Sequence, residues 1–390
     1  MRTKGVVTIA LMATACGQPK PPCGGDWGGL SEAEPAWHVR ADANPDGDGS
    51  ERDPFLVLSD ALEAARGADV RRIIVGAGTF RANLDVDGGP RRHDGLELLG
   101  CGTELTTLEP TDAQEPTIRI TEASDVLVSG MTLRGGATPL FIWGGSEAEV
   151  TELHIDEPRI TGFVVDGPLS TVDLGLVTVE DTQMDDGGQF GYGGVITGAQ
   201  VTWSGGGVSN AHSAAVIIDG DTATLDASDL DIVSTQPNGA GAFGRGLQVQ
   251  GFAGATVSDS RFADHRDAAL FGLLPGPLVV QDSTFESTLA SNEGGDAIVV
   301  TGIDDRGARL DPANFQATLE RNTIDGADRA GVLFERVTAV ANDNVIMGTG
   351  TGQERISQEG AVLSGNDVFV VPSESLEVLR EALTSVEPPK

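Results

Sequence analysis

The sequence predicts an all-β solenoid, in which short strands stack in successive coils. A two-part unit recurs through residues 240–345: a segment that opens with small residues and becomes apolar, then a segment alternating apolar and polar residues. The first type of segment begins at Gly246, Ala268, Ala297 and Ala330, and the second begins at Ala255, Leu278, Ala317 and Ala339. Units that cannot bury their apolar side alone and that recur every ~20–50 residues are typical of solenoids.

The residue pattern of these units predicts strands rather than helices. Their apolar residues recur at period two, are mostly β-branched or aromatic, and are followed by Gly, Asp and Asn. Gly accounts for 53 of 390 residues while aromatics make up 5%, which suits many tight turns around a narrow core. Earlier segments fit the same template, so we expect about ten coils, with right-handed crossovers between parallel strands.

The first 15 residues have the pattern of an export signal. Arg2 and Lys4 precede a short apolar run that ends in small residues before Cys16. This arrangement resembles a bacterial lipoprotein signal, in which Cys16 would become the lipid-bearing N-terminus. Ala13 stands where such signals usually have Leu, so plain cleavage and secretion are the alternative.

The resemblance to lipoproteins also implies a cellular location. Gly17 rather than Asp follows the cysteine, which in such proteins favours the outer membrane, on its periplasmic side or at the cell surface. Residues 16–35, rich in Pro, Gly and Glu, are expected to form a tether. In an oxidising compartment Cys23 and Cys101 could form a disulfide bond; the alternative is that Cys101 packs as a small buried residue.

The charge of the chain limits its partners. With 25 basic and 59 acidic residues, the formal net charge is −34. Such a charge argues against nucleic acid and against unaided binding of polyanions, and it is compatible with divalent cations.

A short helix is predicted at each end of the solenoid, which spans residues 36–372. Asp53 and Pro54 form an N-cap and first-turn pair, and the apolar positions that follow have helical spacing. Residues 373–390 begin with a Ser cap and also place Leu at helical spacing. Each helix would cover an end of the solenoid that otherwise exposes core and unpaired backbone.

Five motifs follow one another in the N-terminal part of the solenoid: Asp46-Gly-Asp-Gly-Ser, Asp53-Pro-Phe, Leu58-Ser-Asp-Ala-Leu, Ile74-Val-Gly-Ala-Gly-Thr-Phe and Leu98-Leu-Gly-Cys-Gly. Their order resembles the start of the pectin-lyase-like right-handed parallel β-helix proteins. The resemblance implies that fold over about residues 36–371. It implies no single activity, because the superfamily contains lyases, hydrolases, binding proteins and adhesins.

One loop carries oxygen ligands at calcium-loop spacing. Positions 1, 3, 5, 7, 9 and 12 of this loop are Asp42, Asn44, Asp46, Asp48, Ser50 and Asp53, and Gly stands at position 6. Position 12 has Asp instead of Glu, and a strand rather than a helix precedes the loop. The alternative is a Gly/Asp-rich turn without metal.

Stacking of the coils suggests a second constellation. Arg245, Asp267, Asp296 and Arg329 each precede a small-apolar strand, and neighbouring coils lie ~4.8 Å apart. In polysaccharide lyases of similar fold, acidic residues hold calcium and an Arg or Lys removes the proton beside the substrate carboxylate. The resemblance therefore implies Asp267 and Asp296 as calcium ligands, Arg245 or Arg329 as the base, and His265 close by as a substrate contact. The alternative is a surface ladder of alternating charge that sets the coil register.

A Gly-rich loop near residue 190 is the third candidate. Asp185 and Asp186 could serve glycoside hydrolysis as acid and base, and Phe190 and Tyr192 could stack on a sugar. The alternative is a flexible loop without a catalytic role.

Sequence signatures of pectate lyases and polygalacturonases, such as Trp-x-Asp-His and Asn-Thr-Asp, are absent. The sequence therefore favours an exported surface protein that binds a polysaccharide or a cell-surface protein. The alternative is a divergent calcium-dependent polysaccharide lyase or glycoside hydrolase.

Overall fold

The structure, a computed structural model, describes residues 27, 35–89, 92–290, 294–303, 311–350, 353–358 and 361–364. The predicted signal peptide, Cys16, Cys23, most of the predicted tether and the predicted C-terminal helix at 373–390 lie outside these residues. None of the helices in the described ranges is long and apolar enough to cross a membrane.

The described chain consists almost entirely of short strands, together with one α-helix, α1 (Leu58–Ala65), and a 3₁₀ turn at Pro312–Asn314. The strands of the N-terminal half are β1 (Ala36–Val39), β2 (Arg72–Val75), β3 (Gly78–Arg81), β4 (Leu84–Asp87), β5 (Glu97–Gly100), β6 (Thr106–Glu109), β7 (Ile118–Thr121), β8 (Val126–Arg134), β9 (Leu140–Trp143), β10 (Glu147–Asp156), β11 (Thr161–Asp166), β12 (Thr171–Glu180), β13 (Tyr192–Thr197) and β14 (Gln200–Ser209). The remaining strands are β15 (Ala214–Asp219), β16 (Thr224–Ser228), β17 (Asp231–Val233), β18 (Arg245–Gln250), β19 (Gly254–Ser258), β20 (Arg261–Ala263), β21 (Ala268–Leu273), β22 (Leu278–Gln281), β23 (Thr284–Glu286), β24 (Asp296–Thr301), β25 (Gln316–Glu320), β26 (Thr323–Asp325), β27 (Ala330–Glu335), β28 (Thr338–Asn342), β29 (Val345–Met347), β30 (Gln353–Gln358) and β31 (Val362–Ser364).

These strands form three parallel ladders that run the length of the molecule. The first ladder is β1–β2–β5–β8–β10–β12–β14–β16–β19–β22–β25–β28–β31. The second is β3–β6–β8–β10–β12–β14–β17–β20–β23–β26–β29, so the long strands β8, β10, β12 and β14 belong to both. The third ladder is β4–β7–β9–β11–β13–β15–β18–β21–β24–β27–β30. The chain visits the ladders in turn, which confirms the predicted parallel β-helix.

The core runs through the centre of the coils, because alternate residues of each strand point inward. In β11, for example, Phe163 and Val165 are buried while Val164 and Asp166 are half-buried on the outside. The ring of Phe163 packs edge-on against Trp203, with ring centroids 5.4 Å apart. Gly194 lies opposite Phe163 on β13, where a Cβ atom would come within 2.3 Å of the ring. Glycine is therefore required at position 194 by a close approach rather than by a turn.

Every later coil turns the same corner between the first and second ladders. The corner residue has a positive φ, near 50–57° at Asp229, Asp259, Asp282, Arg321 and Asp343. The next residue points inward, and from Ser260 to Asn344 these residues form a polar ladder. Ser260 Oγ accepts from the Leu230 N–H at 3.1 Å, and Asn322 Oδ1 accepts from the Ser283 N–H at 3.0 Å. These inward side chains thus accept hydrogen bonds from backbone N–H groups at the corner that are not paired between strands.

The predicted N-terminal helix is present, but its predicted start is wrong. Helix α1 begins at Leu58 with Val57 as its N-cap, and no side chain caps it. Phe55 instead forms a bridge with Val39, and its N–H donates to the His38 carbonyl at 2.8 Å. This bridge holds Phe55 extended, so Asp53 and Pro54 cannot start the helix. Leu58, Leu62 and Ala65 face the core as predicted.

Candidate functional site

The outer face of the third ladder has an open half and a closed half. On β21, β24 and β27 the central outward residues Phe271, Val299 and Leu333 are only 5%, 3% and 0% exposed. On the third-ladder strands from β9 to β18 the equivalent residues are half-buried, so this part of the face is accessible to a ligand. We call the outward surface of β9, β11, β13, β15 and β18 the open strip.

Two rows of side chains run along the open strip, with one residue of each row on each strand. The central row is Phe141, Val164, Val195, Ile217 and Gln248. The outer row, two residues later on each strand, is Trp143, Asp166, Thr197, Asp219 and Gln250. A central row that is apolar except for Gln248 therefore lies beside a row of carboxylate, hydroxyl and amide groups, with a tryptophan at one end.

Trp143 is the exposed aromatic residue of this surface. It is 43% exposed although tryptophan is usually well covered, and it is in register with Thr121 on one side and Asp166 on the other. A half-exposed indole offers a flat apolar surface, and the flanking hydroxyl and carboxylate offer hydrogen-bonding groups at its edge. Such a combination suits a ligand that has both an apolar face and polar edges.

The predicted column of charged residues is present in part, with a one-residue offset. Ala214 pairs with Arg245 and Ala268 pairs with Asp296, so Arg245 and Asp296 belong to one register position. Asp267 and Arg329 lie one residue before that position, just outside β21 and β27. The four side chains are brought together as two Arg–Asp pairs rather than as one straight column.

The first pair is Arg245 with Asp267. Arg245 Nε lies 2.6 Å from Asp267 Oδ2, and both side chains are largely buried. The guanidinium carbon lies 3.6 Å from the centre of the Phe271 ring and 5.1 Å from that of Phe243. A carboxylate and two aromatic faces all stabilise the protonated guanidinium.

The second pair is Asp296 with Arg329. Arg329 Nε donates to Asp296 Oδ1 at 2.8 Å, a second guanidinium nitrogen contacts Oδ2, and the Ala330 N–H donates to Oδ1 at 3.0 Å. Asp296 is completely buried, and burial raises the pKa of its carboxyl against the opposing effect of Arg329.

These contacts bear directly on the roles that the lyase resemblance implies. Arg245 is held by Asp267, and a guanidinium group offers only N–H donors, so the residue is not arranged to remove a proton from a substrate. The oxygens of Asp267 and Asp296 already accept from guanidinium groups. Within the described ranges, no group of three or more His, Cys, Asp or Glu side chains could hold a metal ion. The geometry favours the alternative in which the four charged residues set the register of the coils. These residues are buried, however, rather than at the surface as that alternative had them.

His265 was expected near a substrate, and this expectation is wrong. The imidazole is completely buried in the core, and burial lowers its pKa to about 3. Its Nε2 lies 3.1 Å from the Ile232 carbonyl, which can only accept, so Nε2 carries the hydrogen. Its Nδ1 then accepts from the Thr235 hydroxyl at 3.0 Å. The residue precedes Asp267 closely in sequence, but the turn directs its side chain inward.

The Gly-rich loop lies at the start of β13, beside the open strip. Phe190 and Tyr192 are half-buried, and their rings meet edge to face with centroids 5.8 Å apart. Burial raises the pKa of the Tyr192 phenol, and the positive charge of Arg245 opposes that rise. The role of Phe190 and Tyr192 as sugar-stacking residues stays a prediction.

The two acidic residues of the same loop have other partners. Asp185 Oδ1 accepts from the N–H groups of Gly187 and Gln189, at 3.1 and 2.6 Å. Asp186 forms an exposed ion pair with Arg159 at 3.2 Å. These contacts shape the loop and occupy both carboxyl groups.

The calcium-like loop is organised by hydrogen bonds to its own backbone. Asn44 Oδ1 accepts from the Asp46 N–H at 3.3 Å, Asp48 Oδ1 from the Ser50 N–H at 2.9 Å, and Ser50 Oγ from the Asp53 N–H at 3.1 Å. The Ser50 contacts lower the pKa of Asp48. Asp42 pairs with Arg40 instead of facing the loop. The residues thus fit a metal-free turn, and their side chains do not converge as calcium ligands.

Cys101 is buried and disulfide-bonded. Its partner cysteine lies outside the described residues, and its pairing with Cys23 stays a prediction.

Sequence reasoning missed the outer row, although a signal was available. The apolar runs of β11, β13 and β15 each end at a polar residue, Asp166, Thr197 and Asp219, and β9 ends at Trp143. Those final residues occupy one register position, and alignment of the strand ends would have brought Trp143, Asp166, Thr197 and Asp219 together.

No protein-family model matches the chain, and a search of curated proteins found no match. Solved structures do share its architecture. The chain is similar to an alginate lyase from Paenibacillus sp. strain FPU-7, with a TM-score of 0.54 and 13% identity over 78% of this chain and 97% of that one. It also resembles an enzymatically active domain of tailspike protein 2 from bacteriophage CBA120, with a TM-score of 0.49 and 12% identity over 86% and 47%.

A third similar structure is the catalytic unit of an α-1,3-glucanase from Streptomyces thermodiastaticus strain HF3-3, with a TM-score of 0.46 and 15% identity over 86% and 70% of the two chains. At these identities the likeness concerns architecture. The chain thus shares its parallel β-helix architecture with the alginate lyase.

Proposed function

We propose that the protein binds a glycan along the open strip. The observation that carries this proposal is the pairing of a central row, apolar from Phe141 to Ile217, with a hydrogen-bonding outer row that ends in an exposed tryptophan. Pyranose rings have apolar faces and hydroxyl-bearing edges, so they match such a surface. The polysaccharide-acting proteins of similar fold add support for a glycan as the class of ligand.

Charge favours a neutral glycan over a uronic-acid polymer. The chain has a net charge of −34, and the outer row itself contains Asp166 and Asp219. Arg245, the nearest buried cation, is already paired with Asp267. A polyanion would therefore meet repulsion at the strip without a free counter-charge at Arg245.

The test is binding of the purified protein to a panel of neutral and acidic oligosaccharides, measured by calorimetry. We expect binding to a neutral glycan, and we expect Trp143→Ala to weaken it about tenfold or more, since loss of one stacking aromatic removes one or more kcal/mol. Leu176→Ala is the matched control, because Leu176 is 58% exposed but lies at a corner far from the strip. Equal losses in the two variants, or no binding at all, would contradict the proposal.

Glycoside hydrolysis is the second candidate function. Asp166 and Asp219 belong to strands two steps apart in the outer row, with Thr197 between them, so their backbones are separated by roughly 10 Å. Inverting glycosidases place their two carboxyl groups ~6.5–9.5 Å apart, a separation that these side chains can reach. A reducing-end assay on each bound glycan tests this, with Asp166→Asn and Asp219→Asn expected to abolish product. Ultraviolet absorbance of unsaturated ends tests the lyase alternative on uronic-acid polymers.

We also propose that the protein is exported and anchored to the outer membrane through lipidated Cys16. The support is the resemblance of residues 1–16 to a lipoprotein signal. Mass spectrometry of the mature N-terminal peptide tests it: a diacylglyceryl Cys16 is expected, and an unmodified N-terminus near residue 16 would indicate secretion instead.

A further inference from the structure

A chain of hydrogen bonds with a fixed direction crosses the third ladder at β18. The guanidinium of Arg245, held by Asp267, donates from a terminal nitrogen to Gln248 Oε1 at 3.0 Å. Gln248 Nε2 then donates to Gln250 Oε1 at 2.6 Å. Arginine has donors and no acceptor, so Gln248 must present its oxygen to Arg245 and its nitrogen to Gln250. The orientation of each glutamine amide therefore follows from the positive charge of Arg245, where this series of hydrogen bonds begins.

The last member of this chain is fixed as a donor. Gln250 Oε1 is occupied by Gln248, and Nε2 consequently lies on the other side of the amide. Among the described residues none accepts a hydrogen bond from Gln250 Nε2, and Gln250 is half-buried at the end of the open strip. The strip thus presents N–H groups of known orientation at this position.

A fixed acceptor lies beside this donor. Asp219 is in register with Gln250 on the neighbouring strand, ~4.8 Å away, and an ionised carboxylate can only accept. Room for the carboxylate is made by Gly251, where a Cβ atom would come within 2.3 Å of Asp219 Oδ1. Asp219 and Gln250 therefore form an acceptor–donor pair on the outer row.

We infer that Asp219 and Gln250 form a subsite for two vicinal hydroxyl groups of a neutral sugar, and that Arg245 and Gln248 act as positioning residues for it. One hydroxyl donates to Asp219, and the oxygen of its neighbour accepts from Gln250 Nε2. A carboxylate or sulfate at this subsite would be repelled by Asp219. This inference rests on the proposed function and deepens it by naming the ligand group.

The decisive variant is Gln250→Glu, which keeps the side-chain size and replaces the donor by a second acceptor. On the neutral glycan that the wild-type protein binds, we expect about a tenfold or greater loss of affinity, because the substituted side chain places a second carboxylate beside Asp219 and offers no N–H group to the hydroxyl oxygen. Gln281→Glu is the matched control on the first ladder, where Gln281 also ends a strand and is half-buried; its affinity should equal that of wild type. Melting temperatures of both variants show that they are folded.

The positioning role needs a separate readout. Gln248→Leu interrupts the chain but leaves both ligand-contacting groups, and we expect a smaller loss of affinity than for Gln250→Glu. In a Gln250→Leu background the same Gln248→Leu change should have no further effect, since it acts only through Gln250. An additive loss in the double variant would overturn the positioning role.

A monodeoxy version of the bound glycan completes the test. Removal of the hydroxyl whose oxygen accepts from Gln250 Nε2 should weaken binding to the wild-type protein and leave binding to Gln250→Glu unchanged. Removal of the hydroxyl that donates to Asp219 should weaken binding to both proteins. Wild-type binding that persists in Gln250→Glu would overturn the subsite while the proposed function stands. Failure of the wild-type protein to bind any neutral glycan would overturn both.

Discussion

Arg245 begins β18 and Asp267 lies in the turn just before β21, and yet Arg245 Nε lies 2.6 Å from Asp267 Oδ2. The offset is possible because Asp267 precedes β21 and still belongs to the turn that leads into it. The guanidinium bends across the strand boundary and is covered by Phe271. A buried charge pair thus connects successive coils at the edge of the open strip.

This pair gives a prediction about stability. Asp267→Ala would leave the buried Arg245 guanidinium without its counter-charge, and we expect a loss of about 3–5 kcal/mol in the free energy of unfolding. Replacing both residues, as Arg245→Met with Asp267→Leu, should recover much of that loss. Urea denaturation measures both. A nearly neutral Asp267→Ala variant would show that the pair is not buried in solution.

His265 predicts sensitivity to acid. Its pKa is about 3 in the folded protein and near 6.5 in the unfolded chain, so only the unfolded state takes up a proton between these values. The contribution of His265 to the free energy of unfolding is therefore fully present above pH 6.5. It is lost as the pH falls towards 3, by up to about 1.4 kcal/mol per pH unit. Burial also lowers the pKa of His38 and His93, which act in the same direction.

The measurement compares slopes rather than absolute stability. Melting temperature should fall less steeply between pH 7 and 5 in His265→Gln than in wild type, even if the variant is less stable at pH 7. His154→Gln is the control, because His154 lies on the outer side of β10. Parallel slopes for His265→Gln and wild type would exclude the buried neutral histidine.

The disulfide bond of Cys101 predicts a redox effect. If the partner is Cys23, reduction opens a loop of nearly 80 residues, and the chain-entropy argument gives a loss of about 4 kcal/mol. Reduction and Cys23→Ser should then lower the melting temperature by the same amount, and reduction of the Cys23→Ser variant should lower it no further. Cys16→Ser should have no effect on it. A larger effect of Cys16→Ser than of Cys23→Ser would assign the bond to Cys16.

The turn between Asp42 and Asp53 predicts indifference to calcium. Its polar side chains bind its own backbone and Arg40, so added calcium should not change the melting temperature of either the wild-type protein or Asp46→Ala. Differential scanning calorimetry with calcium and with chelator checks this. A rise with calcium that is lost in Asp46→Ala would restore the calcium loop.

Local pattern was enough to predict the strands and helix α1, because period-two apolar residues must face a shared core. The register between neighbouring strands was harder to predict. The loops before β13 and β18 have their own folds, so the sequence does not show at which residue each strand begins. Asp267 and Arg329 therefore looked equivalent to Arg245, although they precede their strands by one residue. The inward turn of His265 was unpredictable for the same reason.

The outer row advances by one side chain per strand, and its members differ from one strand to the next. A linear polymer laid along the axis would meet a new side chain every ~4.8 Å, about the length of one sugar unit. Sliding the polymer by one unit would exchange every partner at once, for instance a carboxylate for a tryptophan. If the protein binds a glycan as proposed, the outer row would distinguish one alignment of the polymer from the next and would hold the polymer in place rather than let it slide.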